Sequence, residues 1–128
     1  MSDGAPPSTA GRYAYDGLDR VLHEKARLGI LTALMARRDG LVFGELLQLC
    51  ALTDGNLSRH LDVLAEAGLI TIHKGFEGRR PQTRCGLTRL GRRRFREYLA
   101  QLEQVLRDVA EAAVPARKTE RAAGWADA

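Results

Sequence analysis

The chain is poor in the residues on which most protein chemistry depends. Two cysteines and three histidines are all that 128 residues contain. Cys50 and Cys85 stand far apart, His23, His60 and His73 are scattered, and no Cys-x-Cys or His-x-x-x-His pair occurs. A metal sensor needs ligands that converge on one ion, so this dispersal argues against a metal site, and no cofactor is expected. One pair of cysteines without a redox-type spacing is more often two reduced thiols than a bridge. No recognisable signature of a nucleophile, base and oxyanion site is present, so no catalytic residue is assigned and an enzyme is not expected. No apolar run approaches the roughly 20 residues that cross a bilayer. The opening MSDGAPPSTAG also lacks the basic start and apolar centre of a secretory signal. The expectation is a cytoplasmic protein with no membrane partner.

What the chain does have is a concentrated charge. Its net charge is only +4, yet residues 69–96 hold nine Lys or Arg against Glu77 alone, a local charge of +8, while both flanking regions are slightly acidic. A clustered positive field attracts polyanions, whereas a dispersed one mainly keeps a protein in solution.

The length and a 45% hydrophobic content suit a single domain. That domain is expected over residues 13–113, between disordered tails at 1–12, rich in Gly, Pro, Ser and Thr, and at 114–128. The run YDGLDRVLHEKARLGILTALMARRDG predicts one or two helices, with Leu28, Leu31, Leu34 and Met35 on one face and Gly40 as the stop. Arg27 falls within that apolar stripe, so a structural role is expected for it, a buried stem with its guanidinium paired to a carboxylate or to helix-end carbonyls. VFGELLQLCAL then predicts a short amphipathic helix that places Cys50 in the core.

Thr53 is placed to cap the next helix, DGNLSRHLDVLAEA, and Asp54 suits its positive end. Leu57, Leu61 and Leu64 form the buried stripe, and Gly68 gives a left-handed stop. Gly55, Asn56, Arg59, Asp62 and Val63 face outward, with Ser58 and His60 on the flanks. Such a short polar face can enter a DNA major groove, where Asn pairs with adenine and Arg with guanine. His60 and His73 are read as surface or DNA-proximal groups.

LITIHKGFEGRRPQTRCGLT predicts two antiparallel strands, through Ile70 and Ile72 and through Cys85 and Leu87, joined by a tip at Glu77 to Gln82. Pro81 stiffens that tip and Gly75 and Gly78 allow tight turning, so Arg79 and Arg80 reach outward at reduced entropic cost, suited to a phosphate backbone or a minor groove. Lys74, Gln82 and Arg84 complete this basic wing. Thr88 can cap a last, long helix in which Phe95, Tyr98, Leu102, Val105, Val109 and Ala112 repeat at heptad spacing. Leu99 and Leu106 widen the apolar face beyond what one small domain easily covers, which favours a partner helix from a second copy, over residues 89–113, against a helix that only packs back on its own domain.

The stretches LDRVLHEKARLGIL, LTDGNLSRHLDVLAEAGLI and KGFEGRRPQT resemble the small winged helix-turn-helix transcriptional regulators related to the MarR and ArsR groups, over roughly residues 17–106. The resemblance implies a mainly α fold with a small β-hairpin (α+β) and a long C-terminal dimerisation helix. It also implies a homodimer that binds double-stranded DNA at a specific inverted repeat, with residues 54–59 at the major groove and the wing arginines beside it. The chain departs from the family pattern at Val42, where a polar cap is usual, at Gln82, usually basic, at Cys85, usually aromatic, and at Arg89, often proline. These departures bear on the packing of the wing strand and on the number of phosphate contacts. The alternatives to a DNA-binding regulator are a winged helix used only for protein interaction and, less favoured, a metal- or redox-sensing repressor. No small-molecule effector is identifiable.

Overall fold

The computed structural model describes residues 10–122, with side chains as far as residue 113. The elements run α1 (Lys25–Met35), β1 (Leu41–Val42), α2 (Phe43–Cys50), α3 (Asp54–Glu66), β2 (Ile70–Glu77), β3 (Arg80–Leu87) and α4 (Arg89–Ala122). The three strands form one antiparallel sheet in the order β1-β3-β2, which gives the expected α+β winged helix. Among the described residues two compact units are present: one spans Leu18–Tyr98, and the other joins residues 10–17 with residues 99–122.

In the first unit, Ile30, Leu31 and Leu34 of α1, Leu46 of α2, and Leu57, Leu61 and Leu64 of α3 are buried, together with Leu41, Leu69, Ile70, Cys85, Phe95 and Tyr98. The helix expected to begin near Tyr15 starts only at Lys25. Asp19 accepts from the Val21 amide through Oδ1 at 2.7 Å, and its carbonyl takes the amides of Leu22 and His23. This local turn competes with helix until the Glu24 carboxylate caps α1 by accepting from the amides of Ala26 and Arg27, at 2.9 and 3.1 Å. Those amide bonds hold the Glu24 carboxyl below its ordinary range. Arg27 is paired to a backbone carbonyl, though not to one at a helix end: its Nε donates to the Val21 carbonyl at 2.7 Å, in the turn before α1.

Val42 cannot accept a bond at the start of α2, but Glu45 reaches back to the Val42 amide at 3.0 Å, so half of a capping box survives without a polar cap residue. Strand β1 was not anticipated. Gly40 makes it possible: its φ is +85°, and a Cβ there would collide with the Cys85 carbonyl, so only glycine lets β1 lie this close to β3. Cys50, expected in the core, is only half-buried, because it sits at the end of α2 beside Gly29.

Thr88 joins the sheet to α4. Its hydroxyl donates to the Gly68 carbonyl at 2.7 Å and accepts from the Gly91 amide at 2.9 Å, which caps the helix as expected. Within the second unit, Asp108 of α4 is buried, accepting from Tyr15 Oη at 2.8 Å and from Gln104 Nε2 at 2.9 Å. The tail expected from residue 114 is helical as far as Ala122, continuing α4 through Pro115. Residues 10–13 form a turn, and the tail expectations for residues 1–9 and 123–128 lie outside the described residues.

Candidate nucleic-acid interface

Helix α3 starts and stops where its sequence directs. Thr53 Oγ1 accepts from the Asn56 amide at 3.3 Å. At the other end Gly68 takes φ +79°, its amide donates to the Ala65 carbonyl, and the Leu69 amide donates to the Leu64 carbonyl, a Schellman closure. The rotation of the helix is thereby set. Asp54, Gly55, Asn56, Ser58, Arg59 and Asp62 are all exposed along one side, and Arg59 donates from Nη2 to Asn56 Oδ1 at 3.3 Å.

His60 corrects the sequence reading. It is 5% exposed, so it is a core residue of α3 and not a DNA-proximal one. Its Nδ1 lies 3.4 Å from Arg27 Nη1 and 3.9 Å from Glu24 Oε1. Burial, together with the cations Arg59 and Arg27, pushes its pKa down against the pull of Glu24, so the neutral ring is favoured. His73 is exposed on β2.

The wing is a tighter hairpin than expected. Ladder pairs run from Ile70 with Leu87 out to Phe76 with Pro81 and Glu77 with Arg80, leaving a turn of only Gly78 and Arg79. Gly78 takes φ +64°, a conformation such a short hairpin turn demands. Lys74, Arg79 and Arg80 are exposed. Gln82, half-buried, donates to Glu77 Oε1 at 3.2 Å. Arg84 is turned back toward the loop before β1, donating to the Asp39 carbonyl at 3.2 Å, so it fastens the sheet instead of extending the wing's free charge.

Alternation places Ile72, Lys74 and Phe76 of β2 on one sheet face with their partners Cys85, Thr83 and Pro81 of β3. That face meets α3. A groove of about 250 Å³ is lined by Ser58, Leu61 and Asp62 of the helix, Ile72, Lys74 and Thr83 of the wing, and Phe43. The polar flank of α3 and the inner face of the wing therefore form one continuous surface.

The expected dimerisation residues divide along α4. Phe95 and Tyr98 are 2% and 0% exposed, stacked on each other within the first unit, and Tyr98 Oη is 2.6 Å from His23 Nδ1. They are core residues of a single copy, which corrects their assignment to a partner surface. Farther along, Leu99, Leu106 and Val109 are exposed, and Leu102 and Val105 are half-buried.

Both cysteines are free, and burial pushes the Cys85 thiol up to about 11 and raises Cys50 as well. Protonated thiols are poor nucleophiles and poor ligands. Among the described residues no three His, Cys, Asp or Glu side chains gather as a metal site, and no helix is long and apolar enough to cross a membrane.

A family model described as a winged helix DNA-binding domain matches residues 26–106. The chain is similar to a transcriptional regulator homologue from Pyrococcus horikoshii OT3, at 31% identity over 71% of this chain and 89% of that one, with a TM-score of 0.67. MarR is similar at 23% identity, with 90% of each chain covered and a TM-score of 0.58. A MepR mutant from a multidrug-resistant S. aureus isolate matches at 18% identity over 94% of this chain and 87% of that one, also with a TM-score of 0.58. No curated protein sequence matches.

Proposed function

The chain belongs to the winged-helix DNA-binding family and has the fold of MarR-type regulators, and from that premise we propose that it is a sequence-specific transcriptional regulator acting as a homodimer on an inverted repeat. The observation that carries this reading is the shared surface of α3 and the wing. Asn56 and Arg59 present base-reading groups on an exposed helix face. Lys74, Arg79 and Arg80 present cations on the hairpin beside it. Helix α3 then occupies a major groove while the wing follows the backbone into the adjacent minor groove.

The homodimer rests on the exposed apolar side chains of α4 and on the need of one short recognition helix for a second half-site. Two such helices related by a twofold axis read an inverted repeat whose half-sites lie roughly one helical turn, about 10 base pairs, apart. The test is selection of bound fragments from genomic DNA, followed by titration of the enriched duplex and of random duplex over a range of salt. Enrichment of an inverted repeat with steeply salt-dependent binding supports the reading. A winged helix that serves only protein interaction binds neither duplex.

A further inference from the structure

Phe76 is 73% exposed, a large aromatic ring on the most strongly charged hairpin of the molecule. One exposed apolar side chain on a protein surface is ordinary. This one has a partner and a direction. In the β2–β3 register Phe76 stands opposite Pro81, itself exposed, so the two form a joined apolar patch one step below the Gly78–Arg79 turn. The patch lies on the same sheet face as Ile72, Lys74 and Thr83, which line the groove shared with Ser58 and Asp62 of α3. It therefore faces whatever lies against the recognition helix, not the opposite side of the sheet. Arg79 stands at the tip above it and Lys74 lies two residues inward on the same face, while Arg80, paired with Glu77, belongs to the opposite face, so the occupant must offer anionic groups around an apolar one.

We propose that Phe76 and Pro81 form an apolar contact site for the deoxyribose wall of the DNA minor groove, seated between phosphates held by Arg79 at the tip and Lys74 on the same face. The chemistry of the occupant follows from the pattern. Sugar carbons in a duplex backbone are the apolar surface that repeats between phosphates, and the minor groove exposes them. The proposal rests on the DNA-binding reading and adds a non-ionic, sequence-independent component to it. Because the contact releases no counterion, it contributes affinity without contributing to the salt dependence. It also supplements a wing whose free cations are Lys74, Arg79 and Arg80, since Arg84 bonds the Asp39 carbonyl.

The alternative role for Phe76 is to brace the hairpin by packing on Pro81, and the test separates the two. Wild type, Phe76→Thr, Phe76→Leu and Arg79→Ala are titrated with random-sequence duplex DNA at several salt concentrations. Threonine keeps a strand-favouring residue while removing the ring, and leucine keeps apolar surface. The expected result is that Phe76→Thr loses about tenfold in affinity with the salt slope unchanged, that Phe76→Leu loses little, and that Arg79→Ala lowers the slope by about one. A bracing role predicts instead that Phe76→Thr lowers the slope too, because a loosened hairpin takes its arginines with it. That outcome, or wild-type affinity in Phe76→Thr, overturns the proposal and leaves the DNA-binding reading standing. Wild type that binds no duplex at all overturns both. Loss of self-association in Phe76→Thr, seen by sedimentation without DNA, would mark the patch as a contact between copies and likewise overturn it.

Discussion

Arg59 donates from Nη2 to Asn56 Oδ1 at 3.3 Å, across one turn of α3. The bond ties the guanidinium to Asn56 on the exposed face of the helix. Reading adenine uses both ends of the asparagine, and the second lone pair of Oδ1 lets Asn56 keep Arg59 while it accepts from adenine N6. Arg59 can pair with guanine through the rest of its fork. Arg59→Ala is expected to lose about 1–3 kcal/mol of preference at particular operator positions and to keep most binding to random duplex. Asn56→Ala is expected to weaken Arg59's discrimination as well, so a double-mutant cycle should show coupling between the two. The measurement is binding over all single-base changes in the enriched operator. A uniform loss at every position would make Arg59 a phosphate anchor.

The wing offers the opposite signature. Arg79→Ala and Arg80→Ala are expected to weaken binding to all duplexes, each lowering the salt slope by about one. Gln82→Arg adds a cation where the family usually has one, and its guanidinium can take over the 3.2 Å bond of Gln82 and neutralise the Glu77 carboxylate. That variant is expected to bind random duplex more tightly with a steeper slope. Unchanged slopes in all three would remove the wing from the interface.

These two surfaces were legible in the sequence to different degrees. The boundaries of α3 could be read because Thr53 and Gly68 are local signals that act within a few residues. The hairpin is legible from its alternation, but its tip is narrower than a Glu77–Gln82 loop because the register, which takes Arg80 and Pro81 into the ladder, is set by strand pairing and not by local sequence. Strand β1 has two residues and no pattern to find. His60 follows Leu57 by three residues and precedes Leu64 by four, which is core spacing, and that was the available signal. Its polarity hid it, since the groups that make burial tolerable, Arg27 and Glu24, belong to α1 and the turn before it. Along α4 the heptad spacing revealed an apolar stripe but not where one copy stops covering it.

Burial of His60 links stability to pH. Its folded pKa lies below the ordinary 6.5, so the unfolded chain binds a proton that the folded chain refuses. Stability from this group is fully present above about pH 6.5 and falls as pH drops through the window toward the lowered folded value, by at most about 1.4 kcal/mol per pH unit. Glu24, whose carboxyl is held below its ordinary 4.5, loses its contribution only in a more acidic range. Denaturant unfolding between about pH 7.5 and 5.5 should therefore show declining stability in wild type, and a much flatter profile in His60→Gln. Parallel profiles would show that another group carries the dependence.

The remaining prediction concerns the division of α4. Spacings of three, four and three connect Leu99, Leu102, Leu106 and Val109, and of these Leu106 and Val109 are 70% and 63% exposed. Exposed leucine and valine at heptad spacing lose nothing in a monomer when replaced, but in a paired helix they supply the buried seam. Phe95 and Tyr98 are already buried in one copy, and their loss acts on folding. Leu106→Glu combined with Val109→Glu is thus expected to shift sedimentation at micromolar concentration from dimer to monomer, with helix content kept and operator affinity reduced by loss of the second half-site. Phe95→Ala is expected to cost about 3–5 kcal/mol of stability whether or not the chain is paired. If wild type already sediments as a monomer, or the double glutamate variant remains a dimer, the exposed stripe is not the seam. A regulator reading an inverted repeat would then have to pair through another surface.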